Sequence, residues 1–74
     1  MSITLYSTNC PKCMIAEQLL NNNGIDYELV NDPDIVLDVA QEHGITTAPF
    51  ANIDGEFVNY PQIMKFINGG EIND

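Results

Sequence analysis

Cys10 and Cys13 are the two cysteines of a 74-residue chain, and they stand in the tetrad Cys10-Pro11-Lys12-Cys13. Thiols at this spacing fit within one helical turn, so the second sulfur can reach the first and the pair can close to a disulfide and reopen. The same tetrad also reads as half of a zinc knuckle. A structural zinc site needs four ligands, and the further candidate is His43, which follows a predicted helix far from the tetrad. Such a site, with zinc or an iron–sulfur cluster, closes only if shared across a dimer. A non-catalytic binding module with an incidental dithiol is a third reading. The carboxylates show no paired spacing that suggests acid–base work and read as solvated faces.

A reactive pair has to be positioned by the elements around it. Ile3, Leu5 and Tyr6 predict a first strand, and Ser7-Thr8-Asn9 a polar loop behind it. Pro11 suits the first position of a helix, where its missing N–H costs nothing. Ile15, Ala16, Leu19 and Leu20 recur at helical spacing, so a helix is expected over 11–22, stopped at Gly24 by a left-handed residue. Ile25 to Val30 alternates and predicts a second strand. Asp32 then caps a second helix, Pro33 to His43, expected to bury Ile35, Val36, Val39 and Ala40 and to stop at Gly44. His43 is expected to meet the negative end of that helix. Pro49 precedes a third strand, Phe50 to Ile53, and Asp54-Gly55 signals a hairpin returning through Glu56 to Asn59. Pro61 opens a third helix with Ile63, Met64, Phe66 and Ile67 as its apolar positions. The order β-α-β-α-β-β-α implies a four-stranded mixed sheet, because a βαβ unit forces parallel pairing and the hairpin adds antiparallel pairing, with helices on both faces.

Composition narrows the function. The chain has 11 acidic side chains against Lys12 and Lys65, a formal charge of −9. Nucleic-acid binding needs clustered Lys or Arg and is excluded, whereas the acidic field favours partners with a basic docking face and opposes self-association, so a monomer is expected. The first residues form neither a signal peptide nor a membrane span, which predicts a cytoplasmic protein. In a reducing compartment two cysteines serve catalysis or metal binding rather than a permanent staple.

A strand, then Cys10-Pro11-Lys12-Cys13 opening a helix, then Thr47-Ala48-Pro49 entering the third strand, resembles the thioredoxin superfamily, and the size and strand order resemble its small glutaredoxin-like redoxins. The resemblance covers nearly the whole chain. It implies an α/β, thioredoxin-like (glutaredoxin-type) domain over residues 1–70, with a frayed tail over 71–74. It also implies a thiol-disulfide oxidoreductase with no bound cofactor other than the redox-active Cys10-Cys13 disulfide. Pro49 should follow a cis peptide bond close to the sulfurs, with the Ala48 backbone free to hydrogen-bond an extended substrate. Tyr6, Thr8, Thr47 and Tyr60 are the further substrate-binding candidates, and Pro11 and Lys12 support the active site.

An ordinary thiol is only about 3 % ionised at neutral pH, and a helix head with its free N–H groups, aided by the Lys12 cation, favours the thiolate. Cys10 is therefore expected to attack and form a mixed disulfide, and Cys13 to resolve it. Glutathione-using members usually carry a Lys shortly before the first Cys and a Gly-Gly pair followed by Asp after the hairpin; here stand Ser7-Thr8-Asn9 and Asn59-Tyr60-Pro61-Gln62. Thioredoxin's Trp-Cys-Gly-Pro-Cys is absent as well, and Thr4 replaces its buried Asp. The expected reductant is a flavoprotein of the thioredoxin-reductase type, with glutathione as the alternative, and the expected substrate is a protein disulfide, ribonucleotide reductase among them. Met14, beside Cys13, is expected to serve ordinary packing.

Overall fold

Seven elements follow one another in the computed structural model, which describes residues 2–69. They are β1 (Ile3–Tyr6), α1 (Pro11–Asn22), β2 (Glu28–Val30), α2 (Pro33–Glu42), β3 (Phe50–Ile53), β4 (Glu56–Asn59) and α3 (Tyr60–Gly69). The tail expected over 71–74 lies outside the described residues. The strands form one sheet in the order β2-β1-β3-β4, with β1 parallel to β2 and antiparallel to β3, and β3 antiparallel to β4. The mixed sheet expected from the element order is therefore present.

Period-two alternation sorts the side chains of the sheet between two layers. Ile3, Leu5, Ala51, Ile53 and Val58 face α1 and α3, where they enclose Ala16, Leu20, Ile63 and Phe66 in the main core. Leu5, Leu20 and Ile63 are almost fully buried, and each contributes about 1.5–3 kcal/mol by leaving water. The opposite face is aromatic. Tyr6 stacks on Phe50 with centroids 4.8 Å apart, and Phe57 joins them and meets the His43 ring at 4.1 Å.

Local chemistry explains where the helices begin and end. The Asp32 carboxylate accepts the Asp34 N–H at 3.0 Å at the head of α2. α3 begins with a reciprocal cap, in which Asn59 Oδ1 accepts the Gln62 N–H at 3.0 Å while Gln62 Oε1 accepts the Asn59 N–H at 2.9 Å. α1 and α2 stop alike. Gly24 and Gly44 take φ of +66° and +68°, and the following Ile25 and Ile45 N–H groups reach back to the carbonyls of Leu20 and Ala40. At the hairpin Asp54 and Gly55 both have positive φ, as a two-residue turn that follows strand twist demands.

Four expectations need correction. β2 spans only Glu28–Val30 rather than beginning at Ile25, because the Ile25 N–H is spent closing α1 and pairing with β1 starts at Thr4 opposite Glu28. Helix α2 ends at Glu42, leaving His43 as its cap. Ile35 is 49 % exposed rather than buried. A helix turns about 100° per residue, so with Val36 as the buried residue of α2 and Ala40, one turn on, half-buried, Ile35 falls to the side of the covered face. The same rotation on α1, which buries Cys13, Ala16 and Leu20, leaves Ile15 and Met14 exposed, so Met14 does not serve packing.

Candidate active site

Cys10 is itself the N-cap of α1. Its backbone is extended, Pro11 fills the first helical position, and its sulfur accepts the Cys13 N–H at 3.1 Å. A sulfur thus takes the place that a Ser or Asp oxygen usually holds at a helix head, so negative charge on Cys10 would be met by a free N–H and by the positive end of the helix. On its other side Cys10 Sγ lies 3.9 Å from the Ala48 carbonyl. The Ala48–Pro49 peptide bond is cis, as the resemblance implied.

Cys13, one turn further on, is fully buried, whereas Cys10 is half-buried, and both are free thiols. Cys13 Sγ accepts the Thr8 N–H at 3.4 Å and lies 3.8 Å from the Thr8 hydroxyl. Burial pushes the Cys13 thiol up. The Cys10 side chain and the Thr8 backbone N–H outweigh burial and hold it below its ordinary value. Of the two sulfurs, Cys10 is the one with access to solvent.

The loop before the dithiol is tightly built. Ser7 N–H extends the β1–β2 pairing to Val30, its side chain is fully buried, and its hydroxyl accepts the Asn9 N–H at 3.2 Å. Asn9 takes a φ of +63° to turn the chain into Cys10. Ser7 also donates to Glu17 Oε2 at 3.1 Å, so Glu17 is not a solvated carboxylate of the kind expected from the sequence.

Thr8, Thr47 and Ala48 come together as the near wall of an open apolar groove of about 510 Å³, completed by Pro33, Val36, Leu37, Ala40 and Ile45. Leu37, on that wall, is 56 % exposed. Lys12 and Tyr60 meet on the other side of the dithiol, with the ammonium 5.6 Å from the ring centroid. Tyr6, by contrast, gives its ring to the aromatic layer on Phe50. Among the described residues no three His, Cys, Asp or Glu side chains gather as a metal site would require, and no helix is long and apolar enough to cross a membrane.

Sequence reasoning missed the groove, the burial of Ser7 and its bond to Glu17. Glu17 lies four residues after Cys13, which puts both near one helix face. That spacing was the available signal, and it says nothing about Ser7.

A glutaredoxin family model matches residues 3–58. Crystal structures of the thioredoxin-like protein BC3987 and of a point mutant of it are each 28 % identical to this chain and cover 90 % of it; the chain spans 97 % and 91 % of theirs, with TM-scores of 0.72 and 0.73. The glutaredoxin-like protein NrdH-redoxin from Escherichia coli is 21 % identical, with a TM-score of 0.71 over 88 % of this chain and 93 % of that one. Among curated proteins none matches.

Proposed function

As a member of the glutaredoxin family with a thioredoxin-like fold, the chain is a thiol-disulfide oxidoreductase, and we propose that it reduces protein disulfides with Cys10 as the attacking thiolate and Cys13 as the resolving thiol. Cys10 forms a bond to one sulfur of the partner disulfide, and the other partner sulfur leaves as a thiolate. Cys13 then attacks Cys10 Sγ, the Cys10–partner bond breaks, and the second partner sulfur leaves. Two electrons have passed to the partner and the Cys10-Cys13 disulfide remains. The observation that carries this reading is the asymmetry of the pair: Cys10 is reachable at a helix cap and Cys13 is fully buried beneath it.

The substrate docks as an extended segment against the Ala48 backbone, with an apolar side chain beside its cysteine entering the groove that Thr8 and Thr47 border. The residues flanking the dithiol and Ala48 in sequence, Thr8, Asn9, Pro11, Lys12, Thr46 and Thr47, carry no carboxylate, while α2, which supplies Pro33, Val36, Leu37 and Ala40 to the groove, also carries Asp34 and Asp38. A protein partner with basic residues flanking an apolar anchor fits this surface. Ribonucleotide reductase is one such substrate implied by the resemblance.

Electrons return from a flavoprotein reductase rather than from glutathione. The stretch Asn59–Gln62, where a glutathione clamp would stand, is committed to capping α3, and Tyr60 is engaged with Lys12, the one cation of the site among the described residues. The Escherichia coli NrdH-redoxin is described as having a thioredoxin-like activity profile, which agrees with this choice.

The test couples reduction of insulin or of a mixed-disulfide substrate to NADPH oxidation, with thioredoxin reductase in one reaction and glutathione with its reductase in another. Turnover is expected with the first. Turnover with glutathione alone overturns the choice of reductant, and activity retained in Cys10→Ser overturns the assignment of the nucleophile.

A further inference from the structure

The Thr8 N–H lies on Cys13 Sγ at 3.4 Å, and the Thr8 hydroxyl is 3.8 Å from the same sulfur. Thr8 and Asn9 are nevertheless exposed, so something beneath them must fix the loop. That residue is Ser7. Its N–H donates to the Val30 carbonyl at 2.9 Å, its hydroxyl accepts the Asn9 N–H at 3.2 Å, and the same hydroxyl donates to Glu17 Oε2 at 3.1 Å. Ser7 is fully buried, and a buried hydroxyl left without an acceptor is costly, so its proton stays on Glu17.

Glu17 and Cys13 are both on α1, four residues apart and so neighbours along the helix. Two consecutive loop residues are thus gripped by two helix residues one turn apart, Ser7 by Glu17 and Thr8 by Cys13. The loop is held to the same rigid element that carries the sulfur. We propose that Glu17 is a positioning residue, which acts through the Ser7 hydroxyl to hold the Thr8 N–H on Cys13 Sγ while Cys13 resolves the mixed disulfide. The inference rests on the assignment of Cys13 as the resolving thiol. Cys13 attacks as a thiolate, and an N–H already aimed at the sulfur stabilises that charge without any movement of the loop. Neither Ser7 nor Glu17 touches the substrate or takes a proton from the sulfur.

Geometry and charge make opposite demands here. A carboxylate close to a thiol disfavours the thiolate, so charge alone would make Glu17 an obstacle to the chemistry. Accepting the Ser7 proton needs an oxygen and no charge, and the two effects separate on substitution. The other titratable groups of the site, Cys10 and Lys12 on α1 and Tyr60 on α3, are engaged with Ala48 and with each other. From β1 comes Tyr6, whose ring stacks on Phe50.

Three variants test the role. Glu17→Gln keeps an oxygen for the Ser7 proton and removes the charge, Glu17→Ala removes both, and Ser7→Ala keeps the charge and removes the link. In a Cys10→Ser background Cys13 is the sole thiol, and its titration is followed by the ultraviolet absorbance of the thiolate. Glu17→Ala and Ser7→Ala should move the titration up, and Glu17→Gln should leave it at or below the parent. In the dithiol protein, an aromatic disulfide releases one coloured thiolate as Cys10 attacks, at a rate that scales with its concentration. A second leaves as Cys13 resolves, at a rate that does not. A hydrogen bond to a charged group corresponds to about a factor of ten, so near neutral pH Glu17→Ala and Ser7→Ala should slow the second phase about tenfold and Glu17→Gln less than about twofold. The loss should vanish at alkaline pH, where Cys13 is ionised in every variant.

A titration that moves down in both Glu17 variants would make Glu17 an effect of charge and overturn the positioning role. Parent-like behaviour of Glu17→Ala, equal losses in Glu17→Ala and Glu17→Gln, or a loss that ignores pH would overturn it too. Glu17 is only half-buried and Ala is the stronger helix former, so the Glu17 pair decides the matter even where Ser7→Ala fails to fold. All these outcomes leave the dithiol assignment intact. Release of the second thiolate at the parent rate by Cys13→Ser would overturn that assignment and the positioning role with it.

Discussion

Replacing Leu37 with Ser tests whether the groove beside Ala48 receives the substrate. Leu37 is 56 % exposed in the free protein, so the smaller part of its apolar surface supports the fold, and a polar replacement there should cost about 1 kcal/mol of stability. Burying a whole leucine side chain is worth about 1.5–3 kcal/mol. If a docking side chain covers the exposed part, the contribution of Leu37 to binding is close to half of that, about 0.8–1.7 kcal/mol. At about 1.4 kcal/mol per factor of ten, kcat/KM for a protein disulfide should fall about 4- to 16-fold. The assay is NADPH-coupled reduction of a protein disulfide at several substrate concentrations, with thermal unfolding as a control. The loss should fall on KM, because the leucine contacts the substrate equally before and during sulfur transfer. Reduction of a small disulfide that does not span the groove should be unaffected. A kcat/KM within twofold of the parent, with the fold intact, would refute the docking argument.

Two further outcomes concern the elements that hold the site. Asn59→Ala removes one half of the reciprocal cap on α3 and should cost about 1 kcal/mol, a fall of about 4–8 °C in Tm for a domain of this size. Thermal unfolding followed by circular dichroism checks it, and an unchanged Tm would mean that α3 is held by packing alone. The lowered Cys13 thiol also links stability to pH. Between its folded value and the ordinary value of 9.0 the native reduced protein binds fewer protons than the unfolded chain, so stability must rise with pH across that window. The contribution is lost as pH falls through the folded value. Urea unfolding of the reduced protein should show this rise, and Cys13→Ser should abolish it; an identical slope in both proteins would contradict the assignment.

The dithiol and its setting were legible in the residues themselves. Cys10-Pro11-Lys12-Cys13 reads as a helix head because Pro at the first turn, a capping side chain before it and an apolar stripe after it all act within a few bonds of one another. Gly24, Gly44 and Asp54-Gly55 are legible for the same reason, since a positive φ is a demand made on one residue by its neighbours. The proximity of Ala48 to Cys10 came through family likeness and not through any local signal.

Tertiary structure decided the rest. Which residue of β2 pairs with Thr4 depends on strand register, and this shortened the strand expected from Ile25. Which apolar residues of α2 are covered depends on how the helix is rotated about its axis, and the consecutive run Ile35-Val36-Leu37 leaves that open. Whether Glu17 is one more carboxylate among 11 acidic side chains or the partner of a buried hydroxyl depends on where the loop after β1 crosses α1. Local chemistry fixes turns, caps and the dithiol because those interactions are complete within a short segment. The docking groove, the thiol burial and the Ser7–Glu17 bond arise between segments distant in sequence, and only their packing brings them together.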